Sequence, residues 1–248
     1  MPPIPPVARR RILAVARRLG LEPGLRRVQD LLAPWEVRRN RRDDAHLTAI
    51  MAAALRPDAN CVDVGANVGD VLGTMVRLAP EGRHIAYEPL PELASALAHR
   101  FPGVDVRNAA LADEPGEVTF YRNLSADSRS GLQPSEEFEA FTVKVEALDR
   151  SLPEDFAPDF IKVDVEGAEL AVLRGSIETL RRHRPIVALE HGSLALAFGT
   201  THRMVHDLLA GEAGLRIFDM DGVGPLSADE FDRVADPPGR RWNFIACP

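Results

Sequence analysis

The chain has 248 residues, 45% of them hydrophobic, which suits one α/β domain with an accessory segment. No apolar run approaches the roughly 18 residues of a membrane-spanning helix, the Met1-Pro2-Pro3-Ile4-Pro5-Pro6 start lacks a signal-peptide core, and two cysteines (Cys61, Cys247) make no disulfide framework, so a cytoplasmic protein with two buried thiols is expected. The formal net charge of −7 is unevenly spread, because residues 1–42 carry 11 arginines against Glu22, Asp30 and Glu36 while the remainder is acidic.

That basic arm lacks interleaved aromatics or lysines, so it is read as packing on the acidic body or on a second copy in a homodimer, and not on nucleic acid. Residues 7–33 read as two short helices, the first closed by Gly20 and the second ended by Ala33-Pro34. Trp35 lies just beyond, as an anchor or part of a lid. Asp43 or Asp44 is expected to cap a helix running to Leu55 through Leu47, Ile50, Met51 and Ala54.

The stretch Cys61-Val62-Asp63-Val64-Gly65-Ala66-Asn67-Val68-Gly69-Asp70 organises the rest of the chain. It reads as a short buried strand, a glycine turn and a helix whose free N–H groups face a nucleotide-like ligand. Gly65 allows a sharp turn, and Gly69 lets the helix sit close to the strand. A dinucleotide fingerprint would place glycine at Asn67. Asp63 repels a pyrophosphate and suits a ligand with a positive amino-acid head group. Arg83 to Glu88 is the second strand, and Glu88 is suited to accept both hydroxyls of a ribose. D-x-G-x-x-x-G with an acid ending the next strand resembles the S-adenosylmethionine site of Rossmann-like methyltransferases.

Glu92 to Arg100 is a helix and Val104 to Arg107 the third strand, with Asn108 and Ala109 after it. Glu117–Tyr121 and Phe141–Val145 are two short strands of alternating polarity, and the long loop between them, with Ser125, Asp127 and Arg129, is a candidate lid. Asp159 to Asp164 is the fourth strand, and Ala168 to Leu173 opens a helix capped by Gly175. Ile186 to Leu189 is the fifth strand, ending in Glu190-His191. Thr201 to Leu209 is a helix. Leu215–Phe218 and Trp242–Ala246 are the last strands, separated by a segment, Met220 to Arg241, that is a second candidate lid.

DVGANVGD, YEPLPE, Asn108-Ala109-Ala110-Leu111, Asp159 to Glu169 and Val172-Leu173-Arg174-Gly175 together resemble the FkbM family of methyltransferases over about residues 60 to 190. The K-x-D-x-E-G-x-E segment is the most specific. The resemblance implies an α/β, Rossmann-like, doubly wound seven-stranded sheet over residues 57–248, behind a helical arm or lid of residues 1–56. It implies S-adenosylmethionine as cofactor, held by Asp63, Gly65, Ala66, Asn67, Gly69, Asp70, Glu88, Asn108 and Ala109. It also implies O-methylation of small metabolites, glycans or polyketide-type hydroxyls.

In such a sheet the C-terminal strand ends share one crevice, which gathers Lys162, Asp164, Glu166, Glu190 and His191. Asp164, Glu190 and His191 occupy the strand ends that hold the metal in catechol-type O-methyltransferases, so Mg²⁺ is one reading, with Mn²⁺ or Zn²⁺ admitted by the histidine. The other reading is metal-free: Glu166 or His191 is the base and Lys162 neutralises a carboxylate. A sugar or oligosaccharide hydroxyl suits the polar crevice best. A polyketide or lipid hydroxyl, and a non-catalytic cofactor-binding partner protein, are the alternatives.

Overall fold

The computed structural model describes residues 33–123, 138–192, 195, 196, 198–235 and 241–248. The two helices expected within 7–33 and the lid expected between the hairpin strands therefore fall wholly or mainly outside the described residues. The chain divides into two units, residues 1–45 and 46–248.

The first described helix is Trp35–Ala54, longer than expected. Trp35 begins it directly after Pro34, whose fixed φ suits a helix start. Asp43 lies mid-helix and does not cap; it pairs with Arg39 one turn earlier, Nε to Oδ1 at 2.9 Å.

In the second unit, the main sheet has the strands β1 (Cys61–Val64), β2 (His84–Tyr87), β3 (Asp105–Arg107), β7 (Phe160–Val163), β8 (Ile186–Glu190), β9 (Arg216–Asp219) and β10 (Asn243–Cys247). Their order is β3-β2-β1-β7-β8-β10-β9, a doubly wound sheet of seven strands. β10 runs antiparallel to β8 and β9, and the pairs β3–β2, β2–β1, β1–β7 and β7–β8 are parallel. The order reverses at β1, so the crevice opens at the C-terminal ends of β1 and β7.

Alternation sorts the strand residues onto two faces. Val62, Val64, Ile161, Val163, Val187 and Leu189 join the core on one side. Cys61, Phe160, Ala188 and Ile245 join Met51 and Met75 on the other. The C-terminal part of the first helix supplies Met51, Leu47 and Ile50 to that second core.

The two short strands expected after β3 are longer than predicted. β5 (Gly116–Asn123) and β6 (Phe138–Glu146) form an antiparallel pair, joined by β4 (Ala110–Leu111) into a separate three-stranded sheet. The helix after β7 is Glu169–Arg174, and Gly175 follows it with φ −69°, not left-handed. The need for glycine there is close approach, since a Cβ would lie 2.1 Å from the Ala112 carbonyl oxygen. The helix expected over Thr201–Leu209 is α-helical over His202–His206 and continues as a π-helix, Asp207–Glu212.

The segment after β9, expected as a candidate lid, is in part helical. It contains the helix Ala228–Ala235, with Phe231 and Ala235 buried. Ser227 and Glu230 cap it reciprocally: Glu230 Oε2 accepts the Ser227 N–H at 2.9 Å, and Ser227 Oγ accepts the Glu230 N–H at 3.4 Å. This S-x-x-E signal was present in the sequence and marks the helix start.

Candidate active site

The glycine turn after β1 is built by close backbone approach. Gly65 has φ 75°, and a Cβ there would lie 1.9 Å from the Asp164 carbonyl oxygen at the end of β7. Only glycine lets these two strand ends meet. Gly69, with φ 82°, sits against Leu97 and Phe101, where a Cβ would fall 2.5 Å from Leu97 Cδ2. The close approach at Gly69 is therefore to the next helix, Pro91–Arg100.

Four of the N–H groups expected to be free are taken. Gly65 and Ala66 N–H both donate to the Tyr87 carbonyl, Gly69 N–H donates to the Ala66 carbonyl, and Asn67 N–H donates to Glu88 Oε2 at 2.7 Å. A phosphate would find these donors taken. A ligand without phosphate would not need them.

Glu88 joins two loops. Its Oε2 accepts from Asn67 N–H and its Oε1 from Leu90 N–H at 2.9 Å. Burial raises its pKa against the lowering effect of these two bonds. Each carboxylate oxygen keeps a second lone pair for a ligand hydroxyl. Asn108 Nδ2 donates to the carbonyls of Glu88 and Pro89, so it orients the turn that carries this acid.

A cavity adjoins these groups. Gly65, Asn67, Glu88, Asp164 and Glu166 line it, with Leu90, Leu93, Ala109, Val165 and, from the small sheet and the helix after β7, Leu111, Val118, Val145 and Ala171. Its walls are mostly apolar, and its carboxylates are Glu88, Asp164 and Glu166. S-adenosylmethionine, the ligand implied by the resemblance, fits this donor set: apolar walls suit an adenine, and the lone pairs of Glu88 suit a ribose diol. Of the expected cofactor residues, Asp63, Ala66, Gly69, Asp70 and Asn108 stand outside the cavity lining, as do Lys162, Glu190 and His191.

Behind the lining, Asp63 is 0% exposed. The register β1–β7 sets it directly beside Lys162. Lys162 Nζ lies 3.4 Å from Asp63 Oδ1 and 3.4 Å from Asp164 Oδ2, and it donates to the Gly65 carbonyl at 2.7 Å. The positive charge that Asp63 attracts in this structure is thus the lysine's own. Burial acts to lower the Lys162 pKa, but the charges of Asp63 and Asp164 outweigh it and hold the pKa above the ordinary value. Burial likewise raises the pKa of Asp63, with Lys162 opposing.

Glu190, expected from the sequence as a metal ligand, ends β8 outside the cavity lining. Burial pushes its pKa up to about 8, with the charges of Asp164 and Glu166 adding to the effect. The signal available in the sequence was its place at a strand end next to two other acid-bearing strand ends.

Asp164, Glu190 and His191 do not assemble as the expected cation-holding trio. Neighbours along a strand point to opposite faces. Glu190 follows the alternation of Ala188, toward Lys162. His191 follows Leu189 into the opposite core: it is 0% exposed, its ring stacks on Phe231, and Nε2 lies 2.8 Å from His202 Nδ1. Among the described residues, no three His, Cys, Asp or Glu side chains gather so as to hold a metal ion. The same burial keeps His191 out of the cavity lining.

Glu88→Ala should weaken S-adenosylmethionine by about 1.5–3 kcal/mol, the range for hydrogen bonds to a charged group. Titration calorimetry reads this directly, and unchanged affinity would sink the assignment of the ribose to Glu88.

Among known proteins, the chain is 28% identical over 152 residues to the methyltransferase sdnD of Sordaria araneosa, covering 46% of this chain and 59% of that one. It thus spans less than two thirds of that relative. A solved FkbM methyltransferase from Methylobacillus flagellatus KT is similar with a TM-score of 0.49 and 19% identity, over 78% of this chain and 45% of the other. An O-methyltransferase from Bacillus cereus, solved in complex with SAH, gives a TM-score of 0.43 and 14% identity, over 82% and 79% of the two chains. Residues 63–217, well over half of the chain, match the family model of the methyltransferase FkbM domain, and the chain belongs to this family of S-adenosylmethionine-dependent methyltransferases.

Proposed function

We propose that the chain methylates oxygen, on a hydroxyl of a small polyhydroxylated acceptor such as a sugar or oligosaccharide. The observation that carries this reading is the group of acids at the ends of β7 and β8, in which Glu190 has its pKa pushed up to about 8. When bound, S-adenosylmethionine supplies a methyl group on a cationic sulfur. Transfer to a hydroxyl then needs a protein group to take the proton as the new C–O bond forms. A carboxylate that holds its proton until about pH 8 is a stronger base than an ordinary one and suits that task. Glu88 holds the ribose, Asn108 orients the turn that carries Glu88, and Lys162 keeps the glycine turn and Asp164 in register. Asp164 is 34% exposed, which leaves its oxygens open to the other hydroxyls of a polyol.

The apolar walls at Leu111, Val118 and Val145 favour a second reading, in which the acceptor is a polyketide or lipid hydroxyl. One experiment separates the readings. Labelled S-adenosylmethionine is supplied with sugars, hydroxylated polyketides, hydroxylated lipids, amines and thiols, and the labelled product is identified. The expected result is label on oxygen, in the sugar panel. Label on nitrogen or sulfur overturns O-methylation. Donor binding in calorimetry without turnover on any acceptor favours a non-catalytic partner protein.

A further inference from the structure

Glu169 stands outside the cavity lining, yet it is only 2% exposed. It opens the helix Glu169–Arg174, beside the core residues Leu170, Val172 and Leu173. Burying a carboxylate is costly unless its oxygens are used, and an apolar side chain would pack here without that cost. One oxygen is used: Oε1 accepts the Gly167 N–H at 2.7 Å. The other, Oε2, faces His191 Nδ1 at 3.8 Å. His191 in turn shares a hydrogen with His202 Nδ1 through its Nε2, 2.8 Å away. Phe231 clamps this pair, its ring 10° from the plane of His191 and 88° from that of His202. One carboxylate thereby links the turn after β7, the end of β8 and the start of the helix His202–His206.

The turn needs such a link. Glu166 has φ 55° and Gly167 φ 109°. Side chains beyond glycine rarely adopt that region, and a strained pair persists only where its surroundings over-determine it. The strain sits where Glu166 enters the cavity wall, between Val165 and Ala168. The contact with His191 falls one residue after Glu190. Glu166 at the cavity wall and Glu190 at the end of β8 thus hang from the two ends of one buried link.

We propose that Glu169 is a positioning residue for methyl transfer, its carboxylate fixing the Glu166–Gly167 turn and the His191–His202 pair so that the acids of β7 and β8 keep their places at the acceptor. The inference rests on the methyl-transfer reading. Glu169 touches neither donor nor acceptor. Its Oε2 stands beside His191 Nδ1 at 3.8 Å, so the side chain also lies against the ring of the pair.

Two variants test this. Glu169→Leu fills the same buried volume and removes both acceptors. Glu169→Gln keeps an oxygen for Gly167 N–H. In Glu169→Leu, S-adenosylmethionine affinity by calorimetry should stay within about twofold while kcat falls about 100-fold, the loss expected from a small misplacement of reacting groups. Glu169→Gln should restore kcat to within about fivefold of the parent, because the tie to Gly167 survives. Hydrogen exchange at the Gly167 amide should quicken roughly tenfold in Glu169→Leu and little in Glu169→Gln. Equal kcat losses in the two variants, loss of donor affinity in step with kcat, or unchanged exchange in Glu169→Leu each overturn the proposal. Should Glu169→Leu fail to fold, Glu169→Ala replaces it with the same expected results. The exchange measurement needs no acceptor, so a failure of the methyl-transfer reading shows separately, as absent turnover in the parent with the exchange difference intact.

Discussion

Lys162→Met should destabilise the fold by about 3–5 kcal/mol, the cost of removing one partner from a buried ion pair. Asp63 is 0% exposed, and the Lys162 ammonium 3.4 Å away is the one cation paired with it among the described contacts. The substitution also strips the donor from the Gly65 carbonyl, now held at 2.7 Å. Met keeps the length and apolar stem of the side chain, so packing changes little and the charge is what is tested. The sign with pH comes from Asp63, whose pKa burial already raises in the parent. Without Lys162 it rises further, so the penalty is greatest where Asp63 is forced to ionise and shrinks as the pH is lowered and the carboxyl takes up a proton. Asp63→Asn combined with Lys162→Met should recover much of the loss, far from the sum of the single effects. Denaturant melts across pH read all of this. A loss under about 1 kcal/mol for Lys162→Met would mean that the pair does not carry the turn.

Glu190→Gln should lower kcat by about 10²–10⁴-fold, the range for removing a general base, with a smaller effect on donor affinity. In the parent, the rate should climb with pH and level off above about 8, because the working form of Glu190 is the deprotonated one and its pKa is pushed up to about 8. The Gln variant should lose that limb. Stability carries the opposite trend. An unfolded glutamate titrates near 4.5, so between about 4.5 and about 8 the folded chain binds more protons than the unfolded one. Stability from this group is present in full below that window and is lost as pH rises through about 8. Glu190→Gln should flatten this decline. A pH–rate profile that keeps its limb in Glu190→Gln assigns the base elsewhere, with Glu166 next in line at the cavity wall.

The strands of the main sheet were legible because each is a short apolar run bounded by turn residues, and β1, β2, β7 and β8 form within a residue or two of where their composition puts them. The glycine turn was legible for the same local reason, since Gly65 and Gly69 both need left-handed backbone that other residues resist. The helix after β9 was not expected, its segment being read as a lid, although the Ser227–Glu230 capping pair marks its start.

What chain order hides is which groups spend one another. Asp63 looked open to a cationic ligand until the β1–β7 register set Lys162 beside it. The turn N–H groups looked free until β2 brought the Tyr87 carbonyl and Glu88 against them. Glu190 and His191 are adjacent in sequence and looked like one site, but alternation sends them to opposite faces, His191 to His202 and Phe231 and Glu190 toward Lys162 and the acids of β7. The sequence by itself determined where the strands of the main sheet fall along the chain and the resemblance to the family, because those rest on local apolar runs and motif spacing. Only the tertiary structure decided which charged groups pair with one another, because pairing across strands depends on register and face, and neither is written in the separation of residues along the chain.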